Sequence, residues 1–128
     1  MRELEPMRVV RIVSTPSALD AAPWPAHAVV ARVAPDEVFL LGGADPPELV
    51  DDDAIVEIDE GHHGTPLDTD DLEALAARCG WRFPDPPVVA QGAMLGIPIK
   101  VVFGATPEGL PILIVPSPFV AELLERLP

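Results

Sequence analysis

The chain has 128 residues, a hydrophobic fraction of 48% and a formal net charge of -13. That length fits one domain, which buries about two-thirds of the surface its unfolded chain exposes. Twelve acidic side chains and no Lys or Arg lie between Asp45 and Glu73, which argues against DNA or RNA as a partner, because nucleic-acid affinity rests on cationic side chains displacing counterions.

Met7 to Val13 (MRVVRIV) is β-branched and predicts a strand. Ser14 to Pro25 reads as a connection rich in Ser, Pro and Ala, with Trp24 between two prolines. His27 to Ala34 and Glu37 to Leu41 flank Pro35-Asp36. Pro presets the first central turn angle and Asp suits the second, so the pair predicts a hairpin. Gly42 to Asp53, with paired glycines, paired prolines and three consecutive aspartates, reads as a surface loop.

Ala54 to Ile58 reads as the next strand and Asp59 to Leu67 as a loop. A helix follows. Asp68 or Thr69 is placed to cap it, and Asp70, Asp71 and Glu73 sit where the dipole favours negative charge. Leu72, Leu75, Ala76 and Cys79 share one face, and Gly80 is placed to end the helix. Pro84 to Pro87 is a stiff linker. Three apolar strands come next, Val88 to Met94, Ile97 to Phe103 and Leu110 to Val115, with Pro98 confined to a strand start or an edge. The chain closes on an amphipathic helix capped by Ser117, with Pro118 at its first position. Its apolar stripe is Phe119, Val120, Leu123, Leu124 and Leu127, and Glu122 is spaced to pair with Arg126.

This order lacks regular βαβ alternation and predicts an α+β fold, a two-layer sandwich whose largely antiparallel sheet is covered by two helices. A single domain is expected over 1–128, with an N-terminal strand and Pro-rich connection over 1–26 and the α+β core over 27–127. No window reaches the ~20 uninterrupted apolar residues of a membrane span. Glu3, Glu5, Arg8 and Arg11 interrupt the place where a signal peptide needs an apolar run. The one cysteine, Cys79, excludes an internal disulfide and fits a reducing compartment. The expected location is the cytoplasm.

The segments VARVAPDEVFLLGG, LEALAARCGW, AQGAMLGIPIKVVF and LIVPSPFVAELLERL, in that order, resemble the family of the heterotetrameric sarcosine oxidase gamma subunit and the folate-binding domain of the glycine cleavage T-protein. The family's turn falls on Pro35, Asp36 and Glu37, its helix-ending cysteine on Cys79, its strand pair on Ala90 and Gln91, and the entry to its last helix on Val115 and Pro116. These matches mark the fold. The resemblance implies a subunit with neither flavin nor a reaction of its own, partnered with a larger flavin-bearing chain. Folate is the one cofactor it brings; otherwise none is expected.

The densest set of potential metal ligands is Asp59, Glu60, His62 and His63. Imidazole with carboxylate suits zinc or another divalent ion, yet adjacent histidines in a flexible loop need a third fixed ligand to converge. Asp45 with Asp51, Asp52 and Asp53 lacks the alternate-position ligands and central Gly of a calcium loop, so a solvated loop is the favoured reading. Cys79, at the negative end of its helix, is disfavoured as a thiolate nucleophile. Ser14, Ser17 and Ser117 lack a glycine-framed nucleophile elbow. Gly92 and Gly96 bracket a turn between strands, with no Lys-Ser/Thr pair to make a phosphate loop. Trp24 and Trp81 read as packing or interface residues. The expectation is therefore a non-catalytic accessory or binding protein that docks on a partner protein or associates with itself, with no nucleic acid or membrane as partner. The alternative is a metal-dependent small-molecule enzyme or sensor built on Asp59, Glu60, His62 and His63.

Overall fold

Alternation of apolar and polar residues along short β-branched runs dictates most of the architecture. The computed structural model describes residues 3–79, 89–106 and 108–126. It is mixed α and β, with antiparallel strand pairing and three short helices. The strands are β1 (Glu5–Val13), β2 (Val29–Ala34), β3 (Glu37–Leu41), β4 (Ile55–Pro66), β5 (Val89–Met94), β6 (Ile97–Val102) and β7 (Ile112–Pro116). The helices are α1 (Pro16–Ala21), α2 (Thr69–Cys79) and α3 (Val120–Arg126), with a single 3-10 turn at Ser117–Phe119 leading into α3. No helix among the described residues is long and apolar enough to cross a membrane. The chain divides into two compact units, one made of Met1–Met7 with Gly61–Pro128 and the other of Arg8–Glu60, so β1 and β4 each run through both.

In the unit Arg8–Glu60 the strand order is β2-β3-β1. The hairpin expected at Pro35-Asp36 is present: β2 and β3 pair antiparallel, with the register shifting between Arg32 and Ala34. Val38, Phe39, Leu40 and Leu41 are all buried, so both faces of β3 are covered. One face packs in a cluster of Val10, Ile12, Leu19, Val38, Leu40 and Ala44, with Trp24, Ala28 and Leu49 at its border. Trp24 packs as expected and donates its indole N–H to the Leu19 carbonyl at 3.2 Å.

Helix α1 lies inside the segment read from sequence as a plain connection. Thr15 caps it, its hydroxyl accepting from the Ala18 amide at 3.2 Å, and Pro16 stands at the first position. Arg32 secures it from the hairpin, donating to the Asp20 carboxylate at 2.8 Å and to the Pro35 carbonyl beside the turn. Six residues cannot hold a helix in isolation; the cap and the burial of Ala18 and Leu19 do so here.

The unit Met1–Met7 with Gly61–Pro128 has the strand order β4-β7-β6-β5. Its core gathers Leu4, Leu67, Met94, Ile97, Ile99, Val101, Leu113 and Val115 with Leu75 of α2 and Leu123 of α3. The β5-β6 hairpin turns on Leu95 (φ 52) and Gly96 (φ 82), the pair of positive angles a tight two-residue hairpin demands. Pro98 is harmless because β6 begins pairing with β7 only at Lys100, which fits the expected strand start. Helix α2 is capped reciprocally, the Asp71 amide donating to the Asp68 carboxylate at 2.8 Å and the Asp68 amide to the Asp71 carboxylate at 3.3 Å. The expected Glu122–Arg126 ion pair is present in α3. The Cys79 side chain, the Gly80 cap, Trp81, the Pro84 to Pro87 linker, Val88 and Leu127 lie outside the described residues.

Candidate functional site

The segment Asp59 to Leu67 is not a loop: β4 runs unbroken from Ile55 to Pro66. Successive side chains of a strand point to opposite faces, so Asp59 and His63 fall on one face and Glu60 and His62 on the other. The density of ligand types along the chain therefore does not become convergence in space. Among the described residues, no group of three or more His, Cys, Asp or Glu side chains is arranged to hold a metal ion. The glycines and the His-His pair suggest a loop only when read locally; β7 supplies the ladder, with His63 opposite Val115 and Gly64 opposite Ile114.

His62 is buried and His63 half-buried. His63 Nδ1 lies 2.7 Å from Ser117 Oγ. Ser117 does not cap the closing helix, as its spacing suggests, since the 3-10 turn there has no side-chain cap. Its hydroxyl ties the start of the closing helical segment to β4. A hydroxyl beside an imidazole is half of a nucleophilic arrangement, but catalysis also needs a group orienting the ring and donors for the developing oxyanion. The side-chain hydrogen bond His63 makes among the described residues is the one to Ser117. Nothing in the sequence marks this pair, whose members are 54 positions apart.

In the other unit, Asp51 organises the acidic loop. One carboxylate oxygen accepts from the Ser14 hydroxyl at 2.7 Å and from the Thr15 amide at 3.4 Å, and the other accepts from the Asp53 amide at 3.0 Å. Asp51 is thus held by backbone and hydroxyl donors, the arrangement of a loop anchor. The Ser14 hydroxyl, then the Asp53 amide, hold its pKa below the ordinary carboxylate range. A lowered folded-state pKa contributes stability at neutral pH that is lost as pH falls through it. The Asp51→Asn variant should therefore melt below the parent chain at pH 7, with the gap closing at pH values below about 4, where the unfolded-state carboxyl is already protonated. A gap that persists unchanged in acid would show that the charge of Asp51 plays no part.

Arg11 of β1 donates to Glu37 at 2.6 Å and to Glu57 at 2.9 Å, and these carboxylates, Glu37 first, raise its pKa above the ordinary value. On the β5-β6 hairpin, Gln91, Gly92, Ala93, Gly96, Pro98 and Lys100 line an open hollow of about 410 Å³. Its small side chains leave the space, and Lys100, the chain's single lysine, is its one charged lining group. One charged lining group does not make an acid-base pair. No protein-family profile, no curated protein and no solved structure matches this chain.

Proposed function

We propose that the protein is a non-catalytic accessory or binding subunit, of the kind implied by its resemblance to the sarcosine oxidase gamma and T-protein family, and that it docks on a partner protein or on a second copy. The observation that carries this reading is where the resembling segments fall. Pro35 and Asp36 form the β2-β3 turn, Ala90 and Gln91 lie in β5, and Val115 and Pro116 end β7 just before the closing helical segment. In support, the groups with chemical potential have structural uses: His63 and Ser117 hold each other, and Asp51 anchors its loop. For the unit containing the C-terminal half we further propose a two-layer arrangement, with α2 and α3 covering the antiparallel strands, a reading supported by Leu75 and Leu123 sharing one cluster with the strand residues. Folate is the ligand the family resemblance would bring, and we assign no residue to it.

Purification from the native cell without a tag tests the accessory role. The expected result is a complex of fixed stoichiometry with a larger chain that carries flavin absorbance, or a homodimer. A strict monomer at micromolar concentration, with no companion chain, would end this reading.

A further inference from the structure

β5 ends the strand order of its unit. Among the described residues its one strand neighbour is β6, with Ala93 opposite Pro98 and Met94 opposite Ile97. Pro98 has no N–H to give, so Ala93 and Pro98 form a non-hydrogen-bonded pair, and the hydrogen-bonded pairs alternate with it at Gly92–Ile99 and Met94–Ile97. The Ala93 amide and carbonyl therefore point away from β6, toward the outer edge of the strand. Gln91, Gly92 and Ala93 are exposed in succession although they alternate between faces, as in a strand with solvent along its side.

Nothing along β5 blocks pairing with another strand. Exposed edges ordinarily carry charges, proline or a bulge that prevent it, yet β5 (VAQGAM) has neither charge nor proline and keeps its register with β6 throughout. The terminal strand of the other unit differs: β2 carries Arg32, which binds Asp20 of α1. Charge singles out the same place. The longest stretch of the chain without Asp or Glu is 86–107, and it contains both β5 and β6. At a net charge of -13, two copies repel each other over most of their surface and least at this hairpin.

We propose that β5 is the contact through which two copies of this chain associate, edge to edge and antiparallel about a two-fold axis. The strands β6 and β5 of one copy then continue into β5 and β6 of the other. The proposal rests on the accessory reading above and names a second copy as the partner. A two-fold contact is self-complementary, so each backbone hydrogen bond off the symmetry axis is made twice. The small residues Gly92 and Ala93 leave the second backbone room to approach. A strand of another protein is the less favoured occupant, because β5 presents no charge that would select one.

Sedimentation velocity on the whole untagged chain, across a micromolar concentration series, tests this contact. The parent should show a monomer–dimer equilibrium that tightens as salt is added, since screening weakens the repulsion between acidic bodies. Ala93→Pro removes an outward N–H from each copy and Ala93→Glu places a charge there; each should weaken the dimer about tenfold or more. Both should keep the circular dichroism spectrum of the parent, because neither removes a bond to β6. Leu124→Glu, on the exposed side of α3, should leave the dimer unchanged. A parent chain that stays monomeric, or a dimer that Ala93→Glu leaves intact, overturns the proposal. The native purification separates it from the accessory role. A monomeric chain that holds a larger companion removes the contact between copies alone, and gives the edge to that companion if Ala93→Glu releases it. A chain with neither dimer nor companion removes both readings.

Discussion

Leu113→Ala should lower the free energy of unfolding by about 2–5 kcal/mol. Leu113 is fully buried in β7, where it is paired with Thr65 of β4 and Val101 of β6. Its side chain belongs to the cluster that joins Leu4, Leu67, Leu75, Ile99 and Leu123. Truncation removes apolar burial and leaves a cavity that collapses only in part, because most of the neighbours belong to paired strands. At roughly 4 °C per kcal/mol for a chain of this size, the melting temperature should fall by about 8–20 °C. Leu124, half-exposed on α3, supplies the contrast: Leu124→Ala should stay within about 0.5 kcal/mol of the parent. Equal losses at the two positions would contradict the assignment of Leu113 to the core.

Gly64→Ala should also destabilise, by about 1–3 kcal/mol, although an alanine placed in a strand ordinarily gains on glycine. The reason is space. A Cβ on Gly64 would lie 2.5 Å from the Met7 methyl, 3.1 Å from its sulfur and 3.2 Å from the Leu113 carbonyl oxygen. The Met7 tip can swing aside, but the carbonyl belongs to the backbone of a paired strand. Combining Gly64→Ala with Met7→Ala should therefore recover part of the loss, and the double-mutant cycle by chemical denaturation measures that coupling. A Gly64→Ala chain as stable as the parent would show that the close approach is not real in solution.

The sequence displays most of the strands because their apolar residues alternate, and it displays the hairpin at Pro35-Asp36 because turn chemistry is local. It displays α2 through Asp68 and the leucines at positions 72 and 75. What it hides depends on partners distant in the chain. Thr15 followed by Pro16 is a legible helix start, yet six residues among prolines do not look like a helix until Arg32 and Trp24 are in place around them. β4 continues through Gly64 to Pro66 because β7 pairs with it from His62 onward. Taken locally as a loop, that stretch makes Asp59, Glu60, His62 and His63 resemble a cluster: in a loop neighbours can converge, in a strand they diverge. Ser117 has the spacing of a cap, and only the fold brings His63 within 2.7 Å to claim its hydroxyl instead.

The discontinuous unit has a consequence for how the chain matures. Residues 8–60 form a contiguous segment and can assemble as soon as they are available. The other unit has Leu4 and Leu123 in the same core, so completing that core brings together positions far apart in the chain. Loop closure over such a span is entropically costly and slow. During synthesis Leu4 is therefore made long before the helix that carries its core partner Leu123.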